Sequence, residues 1–441
     1  MSKSIGKFTA DTLITITTRV LRLFLGIGIF VIIARILGPE LKGVYSLAIL
    51  LPSLLVSFGT FGIGQASIFY IGSRKYPPND IFATNIMLSF FLGIVGFSIG
   101  LIIIIFFSSS LFPEVEKGYL ILALFLIPLQ LCFTVLNQFL LGLQKIKEFN
   151  LASILQVFAF LISLSIFLLV FNMGVSAAII AYVLSYLVGI GASVYLTKQS
   201  ILSFGWCFNK SYAKDAFTYG FKIYLGNAIG LFRYKVNIFL VNAFLDPIAV
   251  GLYVAAVEIS ERIWLISQSA GLVLFPRVSS ETDEKKLKEL TPIVFRNVLL
   301  VTFIGAVFLF FIGRFLILLL YSEKFLDSVL PFQIFLIGVV AMSGGKVLSN
   351  DLYGRKRPEL NIYINSITLM LNVILNILWI SKYGIVGAAW ATSISYIVSA
   401  LSKTFVYCKI SENKIRDMIF FNKSDFVIYK NLIRSVYLIR R

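Results

Sequence analysis

The chain has no histidine and only three cysteines, and Asp, Glu, Lys and Arg make up 14% of its 441 residues. Without histidine it has no histidine metal ligand and no imidazole acid–base group. Cys132, Cys207 and Cys408 stand singly and far apart, which excludes a cysteine metal motif and a disulfide framework. SGGK at Ser343–Lys346 lacks the leading Gly and the following Ser or Thr of a nucleotide phosphate loop. We therefore expect no metal, no cofactor and no enzymatic activity.

Apolar residues dominate the sequence, with 59% hydrophobic residues and a mean hydropathy of +0.92. A soluble globular protein of this length is far less apolar. Runs of about 20 apolar residues cross a bilayer, and they must be helical because lipid offers no partner to a free backbone group. We predict an all-α membrane protein with twelve spans, at residues 12–36, 43–71, 81–107, 119–143, 151–172, 174–197, 217–242, 248–276, 292–320, 328–350, 361–381 and 385–409.

The second half of the chain repeats the first. At an offset of 208, Leu37, Pro39, Gly43, Tyr45 and Ala48 recur as Leu245, Pro247, Gly251, Tyr253 and Ala256. At an offset of 210, Gly174, Ala178, Ala181, Ser185 and Tyr186 recur as Gly384, Ala388, Ala391, Ser395 and Tyr396. Gly142 and Asn150, which bracket QKIKEF, match Gly354 and Asn361, which bracket RKRPEL. Tandem repeats of membrane spans are typical of alternating-access transporters, whose halves rock around a central site.

The repeat and the charges of the loops predict the organisation of the chain. We expect a cytoplasmic N-terminus (1–11), an N-terminal six-helix bundle (12–197), a cytoplasmic linker (198–216), a C-terminal six-helix bundle (217–409) and a cytoplasmic basic tail (410–441). Most loop Lys and Arg lie on the side of the N-terminus, while the other side has Lys42, Lys117, Lys324 and Lys382. Both termini are therefore predicted to be cytoplasmic. The +18 net charge reflects this asymmetry and requires no nucleic acid. The tail suits either an amphipathic helix on anionic lipid or a partly disordered segment.

Charged residues inside the spans mark the candidate site, because each costs at least ~2.5 kcal/mol unless it is paired or hydrated. Span 1 carries Arg19 and Arg22, in a polar stripe with Thr12, Thr15 and Gly26. Span 7 carries Arg233, Lys235 and Asn237, and span 8 carries Glu258, Glu261, Arg262 and Gln268. The excess of cations in the spans predicts a cavity built for an anion. The acids Glu258 and Glu261 are candidates for a charge pair or an ion-coupling site.

Each of these candidates also has a structural interpretation. Arg19 and Arg22 could extend to the cytoplasmic interface, and Glu258 with Arg262 could form a pair that holds helices in register. Asn372 and Asn376 on span 11 suit hydrogen bonds between helices better than ligand contacts. We place Lys222, Arg296, Lys346 and Lys403 at the membrane interface, because they lie near cytoplasmic ends of spans.

Three ordered blocks carry a family resemblance. ARILGPELKGVYSLA followed by FGTFGIGQASIFYIG, then VGLYVAAVEISERIWLISQSAGLVLFPRVS and LNVILNILWISKYGIVGAAWATSISY resemble the Wzx-type polysaccharide transporters. That family is related to the multidrug MATE exporters and the lipid II flippase. The resemblance runs from Thr12 to Lys409. It implies two six-helix bundles around a V-shaped cavity.

The resemblance also implies a function: moving an undecaprenyl-diphosphate-linked oligosaccharide from the cytoplasmic to the outer leaflet of a bacterial plasma membrane. Its implied partners are membrane lipids and the glycosyltransferases and polymerase of the pathway. By similarity, spans 1 and 8 border a lateral portal, which would bring Arg19 and Arg22 near Glu258 and Arg262. Many relatives have an acid on span 7 where this chain has Asn237, so an ion-coupling role is not carried over to that position.

Three alternative functions stay open at this point. A MATE-like exporter of cationic small molecules shares the implied fold, but its cavity should have more acids than bases. A lipid II-type flippase is a closer rival, although that flippase has two additional spans. A scaffold that only recruits glycan-assembly enzymes would not need arginine inside its spans.

Overall fold

The computed structural model describes residues 2–198, 207–280, 283–355 and 357–419, with the backbone alone for helix residues 2–13, 16, 222–234, 272, 276, 280, 284 and 419. Within these ranges the chain consists of helices, short 3₁₀ segments and turns, without a strand. The all-α prediction is therefore confirmed. Residues 420–441, which hold most of the predicted basic tail, lie outside the described residues.

The helices follow one another with short connections. They are α1 (Ser2–Gly59), α2 (Ile63–Gly72), α3 (Pro78–Leu111), α4 (Lys117–Leu124), α5 (Leu126–Gly142), α6 (Ile146–Leu169), α7 (Gly174–Lys198), α8 (Lys210–Phe244), α9 (Pro247–Ser260), α10 (Trp264–Ser280), α11 (Glu284–Leu320), α12 (Val329–Gly354), α13 (Pro358–Ser411) and α14 (Ile415–Ile419). Two 3₁₀ segments, Glu261–Ile263 and Glu323–Ser328, connect α9 to α10 and precede α12.

Eight helical stretches of the described residues are long and apolar enough to cross a membrane. Two of them, Thr17–Gly72 and Pro358–Ser411, contain 56 and 54 residues. At 1.5 Å per residue each contains roughly 80 Å of helix, more than twice the ~30 Å bilayer core, so each holds two spans. With α8 and the α9–α10 pair, these stretches are consistent with the twelve predicted spans.

The two longest helices are each interrupted by a glycine with a left-handed backbone. Gly38 in α1 has φ 73° and is followed by Pro39, and Gly384 in α13 has φ 58°. Gly174, the repeat counterpart of Gly384, has φ 61° at the start of α7. A side chain at such a φ is strained, so glycine is the residue that permits these breaks. The repeat seen in the sequence is therefore also present in the backbone conformation.

Helix ends give a second sign of the repeat. The ends of α5 and α12 use the same backbone hydrogen bonds at an offset of 212: Leu143 N to Phe139 O (3.0 Å) with Arg355 N to Asp351 O (2.9 Å), and Lys145 N to Leu140 O (2.9 Å) with Arg357 N to Leu352 O (2.9 Å). Each end thus binds carbonyl groups that the last helical turn leaves free. The matched segments QKIKEF and RKRPEL follow these two ends directly.

The described chain forms two compact units, residues 1–254 with 318–326 (unit 1) and residues 255–317 with 327–441 (unit 2). These two units do not test the six-helix bundles predicted from the repeat, residues 12–197 and 217–409, and those boundaries stay a prediction. In unit 1, α8 begins at Lys210, which is seven residues before the predicted start of span 7. Asn209 caps it by accepting a hydrogen bond from Tyr212 N at 2.9 Å.

Contacts to the loop after α2 hold the first turns of α8. Asp215 accepts hydrogen bonds from Lys75 Nζ at 2.6 Å and from Tyr76 Oη at 2.7 Å. The bond from Lys75 lowers the pKa of the Asp215 carboxyl. A few residues further along, Gly220 packs directly on the backbone of Gly62.

Several cations are more deeply placed than the sequence suggests. Lys42, expected in an outer loop, is buried in unit 1 with its ammonium 5.3 Å from the Tyr321 ring centroid. Arg296 and Lys403, expected at the interface, are buried in unit 2, and Arg296 donates to the backbone oxygen of Asp417. Protein contacts, and not lipid headgroups, therefore surround these three side chains. The side chain of Lys222 lies outside the described residues.

Candidate functional site

One arginine of span 1, Arg22, lines a polar cavity inside unit 1. Arg19 is exposed and Arg22, one turn further along α1, is half-buried. A cavity of about 200 Å³ is lined by Arg22, Phe133, Thr134, Asn137, Gln138, Phe149, Ser153 and Gln156. Its wall therefore combines one arginine of α1 with amides, hydroxyls and rings of α5 and α6. None of these lining residues is acidic.

Hydrogen bonds fix two of the amides in this wall. Asn137 Nδ2 donates to Ser153 Oγ at 2.8 Å, and Gln156 Nε2 donates to Ser185 Oγ at 2.9 Å. Two buried atoms of the same cavity, Asn137 Oδ1 and Arg22 Nε, have no hydrogen-bond partner in the described part of the chain. Such groups are rare in folded proteins, because an unsatisfied buried polar atom costs about 1–3 kcal/mol.

The candidate residues of span 7 lie on α8, also in unit 1. The side chain of Arg233 lies outside the described residues, so its predicted contact with a substrate is not tested. Lys235 is half-buried and Asn237 is 2% exposed. The Asn237 amide is buried, as expected for a polar side chain that packs against protein and not against lipid. That it lines a substrate cavity stays a prediction.

The candidate residues of span 8 lie in unit 2, around an interruption of the helix. Glu258 belongs to α9, whereas Glu261 and Arg262 belong to the 3₁₀ segment that separates α9 from α10. All three are half-buried, and Gln268 on α10 is exposed. A 3₁₀ turn in the middle of a helix often marks a hinge or a functional position. The sequence predicted an uninterrupted span here.

Glu261 has a partner on span 12. Its Oε1 accepts a hydrogen bond from Tyr396 Oη at 2.9 Å. The ring of Tyr396 lies 5.3 Å from that of Trp264, and the Lys346 ammonium lies 4.1 Å from the Trp264 ring centroid. Lys346, expected at the membrane interface, thus takes part in a cation–π contact inside unit 2. Glu261 is set in a polar and aromatic cluster of three helices.

Sequence reasoning missed the cavity amides and the partners of Glu261. Asn137 and Gln138 are adjacent polar residues in the apolar run LNQFLLG, and Gln156 interrupts the apolar run of α6. Amides inside membrane spans are therefore a usable sequence signal for such a cavity, in addition to full charges. Tyr396 was noticed only as a repeat position, because nothing in its neighbourhood of the sequence indicates a contact with Glu261.

The fold and these buried polar groups define a multi-pass α-helical membrane protein with polar sites inside its bundles. A family model described as "Polysaccharide biosynthesis protein" matches residues 32–330, more than half of the sequence, and the chain belongs to that family. A second model, described as "Lipid II flippase MurJ", matches residues 225–438. The resemblance to polysaccharide transporters and the lipid II flippase is confirmed.

Individual relatives are distant, and the share of the chain that they cover differs. A capsular polysaccharide biosynthesis protein of Staphylococcus aureus is 21% identical over 392 residues, 87% of this chain and 94% of that protein. The probable low-salt glycan biosynthesis flippase of Haloferax volcanii is 25% identical over 198 residues, 43% of this chain and 41% of that protein. The solved lipid II flippase MurJ, in an inward closed conformation, aligns with a TM-score of 0.74 at 19% identity, over 98% of this chain and 97% of that one. The fold predicted from the sequence is confirmed.

Proposed function

We propose that this protein is a flippase. It moves undecaprenyl-diphosphate-linked oligosaccharide units from the cytoplasmic to the outer leaflet of a bacterial plasma membrane, for assembly of a surface polysaccharide. The observation that carries the proposal is the position of Arg22, within an apolar span and in the wall of a polar cavity. Membership of the polysaccharide biosynthesis family and the MurJ-type fold support the same function.

The charges suit a diphosphate. The candidate residues Arg19, Arg22, Arg233, Lys235 and Arg262 are cationic, against the acids Glu258 and Glu261. Arginine presents a planar fork that binds two oxygens of a phosphate at once, which a lysine ammonium cannot do. The polyprenyl tail can stay in lipid while the charged headgroup crosses through a polar cavity. An alternating-access movement of the two repeats would expose that headgroup first to one side of the membrane and then to the other.

The membrane potential supplies a driving force in this scheme. Moving two negative charges out of a negative cytoplasm gains about 4–5 kcal/mol per 100 mV. The proposed substrate therefore moves downhill without a coupled ion, and the protein needs no enzymatic step. Both termini would lie in the cytoplasm, where the pathway's glycosyltransferases load the lipid, and a polymerase would receive the product at the outer leaflet.

A reconstitution tests the function directly. Purified protein is placed in liposomes with lipid-linked oligosaccharide, extracted from source cells that lack this chain and therefore accumulate the substrate. The measurement is the fraction of sugar headgroups that a lectin outside the liposomes can bind over time. We expect this fraction to rise with the protein and to stay constant in empty liposomes. If the oligosaccharide does not move while a cationic dye is exported, the MATE-like alternative is correct. If lipid II moves in its place, the lipid II-type alternative is correct.

A further inference from the structure

The cavity in unit 1 contains a hydrogen-bond acceptor whose orientation is fixed. Ser153 Oγ donates its own hydrogen to Phe149 O at 2.9 Å, so toward Asn137 it can only accept. This forces the Asn137 Nδ2 group toward Ser153, at 2.8 Å. Oδ1 is then left as a buried acceptor without a partner in the described part of the chain, and Asn137 is 7% exposed.

The same cavity contains an unmatched donor. Arg22 Nε is buried and has no hydrogen-bond partner in the described residues. A ligand that satisfies both atoms must donate a hydrogen bond to Asn137 Oδ1 and accept one from Arg22 Nε. A hydroxyl does both, whereas a phosphate oxygen could satisfy Arg22 but not the Asn137 carbonyl oxygen. The pair of unmatched atoms therefore points to a hydroxylated ligand and not to an anion alone.

The rest of the wall suits a sugar ring. Gln138, Gln156 and Thr134 add neutral groups that donate and accept, and Phe133 and Phe149 add ring surface for the apolar face of a pyranose. The volume of about 200 Å³ equals roughly seven water molecules at about 30 Å³ each, which is the scale of one sugar ring.

We propose that this cavity is a saccharide subsite that holds the sugar attached to the diphosphate. Arg22 lines the cavity while Arg19, one turn away on α1, is exposed outside its wall. With one arginine outside the cavity and one in its wall, the diphosphate would bind at Arg19 and Arg22, and the first sugar ring would lie beside Asn137 and Gln138. The inference rests on the proposed function and adds to it the means by which a loaded lipid is distinguished from bare undecaprenyl diphosphate.

The test compares two probes on the purified full-length protein: undecaprenyl diphosphate, and the lipid-linked oligosaccharide from source cells lacking this chain. The dissociation constant of each is measured in detergent micelles. We expect the wild-type protein to bind the glycosylated lipid at least about tenfold more tightly, which is the order expected from a few neutral hydrogen bonds. Asn137→Leu should lose that preference and bind undecaprenyl diphosphate as the wild type does.

A buried amide outside the cavity provides the control. Asn150 on α6 donates to Ile146 O at 2.8 Å and to Thr15 Oγ1 at 3.2 Å, and it does not line the cavity. Asn150→Leu should keep the preference for the glycosylated lipid, whatever it does to stability. Because Asn137→Leu could fold poorly, the less buried Gln138→Ala is measured in parallel, and it should reduce the preference in the same direction.

The possible outcomes separate the two proposals. If the wild type binds both probes equally well, or if Asn137→Leu and Gln138→Ala weaken both probes by the same factor, the saccharide subsite is wrong and the flippase proposal stands. The cavity would then be a polar void that holds helices together. If the wild type binds neither probe, the flippase proposal itself is wrong.

Discussion

Gly43 and Gly251 occupy equivalent positions of the repeat and face each other in unit 1. A methyl group on Gly43 would overlap the carbonyl oxygen of Pro247, and one on Gly251 would overlap the carbonyl oxygen of Pro39. Each proline stands four residues before the glycine of its own copy, so the contact is reciprocal. The backbones of spans 2 and 8 therefore approach as closely as glycine permits. The repeat thus places the two copies of its Pro-x-x-x-Gly motif against each other.

The first prediction concerns this contact. Gly43→Ala and Gly251→Ala should each lower the midpoint of thermal unfolding, because either methyl must push the two helices apart at a cost of about 1–3 kcal/mol. The measurement is the fraction of monodisperse protein left after heating in detergent. The two substitutions act on one contact, so the double variant should lose less than the sum of the single losses.

Gly191 on α7 is the control for this experiment. A methyl group there meets no atom within 4 Å, and alanine favours a helix over glycine by up to about 1 kcal/mol. Gly191→Ala should therefore leave the midpoint unchanged or raise it slightly. An equal loss in Gly191→Ala and Gly43→Ala would show that the close approach does not limit stability.

The second prediction concerns the cations of span 1. Arg19→Ala combined with Arg22→Ala should slow flipping by a factor of at least about 10–100, because the loss of even one charge-assisted hydrogen bond costs about 1.5–3 kcal/mol. Replacing both arginines by lysine should restore flipping only in part, since lysine lacks the bidentate fork. Rates are measured by lectin accessibility at matched protein content. Full activity of the double alanine variant would remove both arginines from the substrate site.

Sequence patterns predicted the fold well, because apolar run length and the repeat are local properties. Helix breaks were harder to predict. Gly38 and Gly384 look like ordinary membrane glycines until their φ angles are known, and the 3₁₀ turn at Glu261 has no marker in the sequence. In the candidate cavity, charge alone marks Arg22 in the sequence. Nothing in the sequence marks the proposed role of the neutral Asn137, because that role depends on a fixed orientation and on burial. The hydrogen bond from Tyr396 to Glu261 could not be predicted from the sequence, because the two residues are 135 positions apart and meet only through tertiary packing.

The third prediction concerns a buried ion pair in unit 2. Asp351 Oδ1 lies 2.6 Å from Arg355 Nε, with side-chain exposures of 0% and 8%, and Asp351 Oδ2 accepts from Thr291 Oγ1 at 2.6 Å. Asp351→Leu should destabilise the protein by about 3–5 kcal/mol, because it leaves a buried guanidinium without its carboxylate. Asp351→Leu with Arg355→Met should recover most of that loss. Denaturation followed by tryptophan fluorescence measures both variants.

An exposed pair in unit 1 gives the comparison. Lys75 and Asp215 have side-chain exposures of 55% and 32% at an Nζ–Oδ2 distance of 2.6 Å. Solvent and salt screen such a pair, so Asp215→Asn should cost no more than about 1 kcal/mol. If Asp215→Asn were as damaging as Asp351→Leu, burial would not be what makes the Asp351 pair important.

The last prediction separates a potential-driven cycle from an ion-coupled one, with Glu261 as the deciding residue. In liposomes whose interior corresponds to the cytoplasm, a negative interior should accelerate outward movement of the diphosphate headgroup, since each negative charge gains about 2.3 kcal/mol per 100 mV. A potassium diffusion potential sets the voltage, and lectin accessibility reports the movement. Glu261→Gln should keep this dependence on the potential, because the carboxylate is not needed to carry an ion. Tyr396→Phe, which removes the hydroxyl that donates to Glu261 Oε1, should keep it as well. If the potential has no effect, while a proton or sodium gradient drives flipping that Glu261→Gln abolishes, then Glu261 is the coupling site and the potential-driven cycle is wrong.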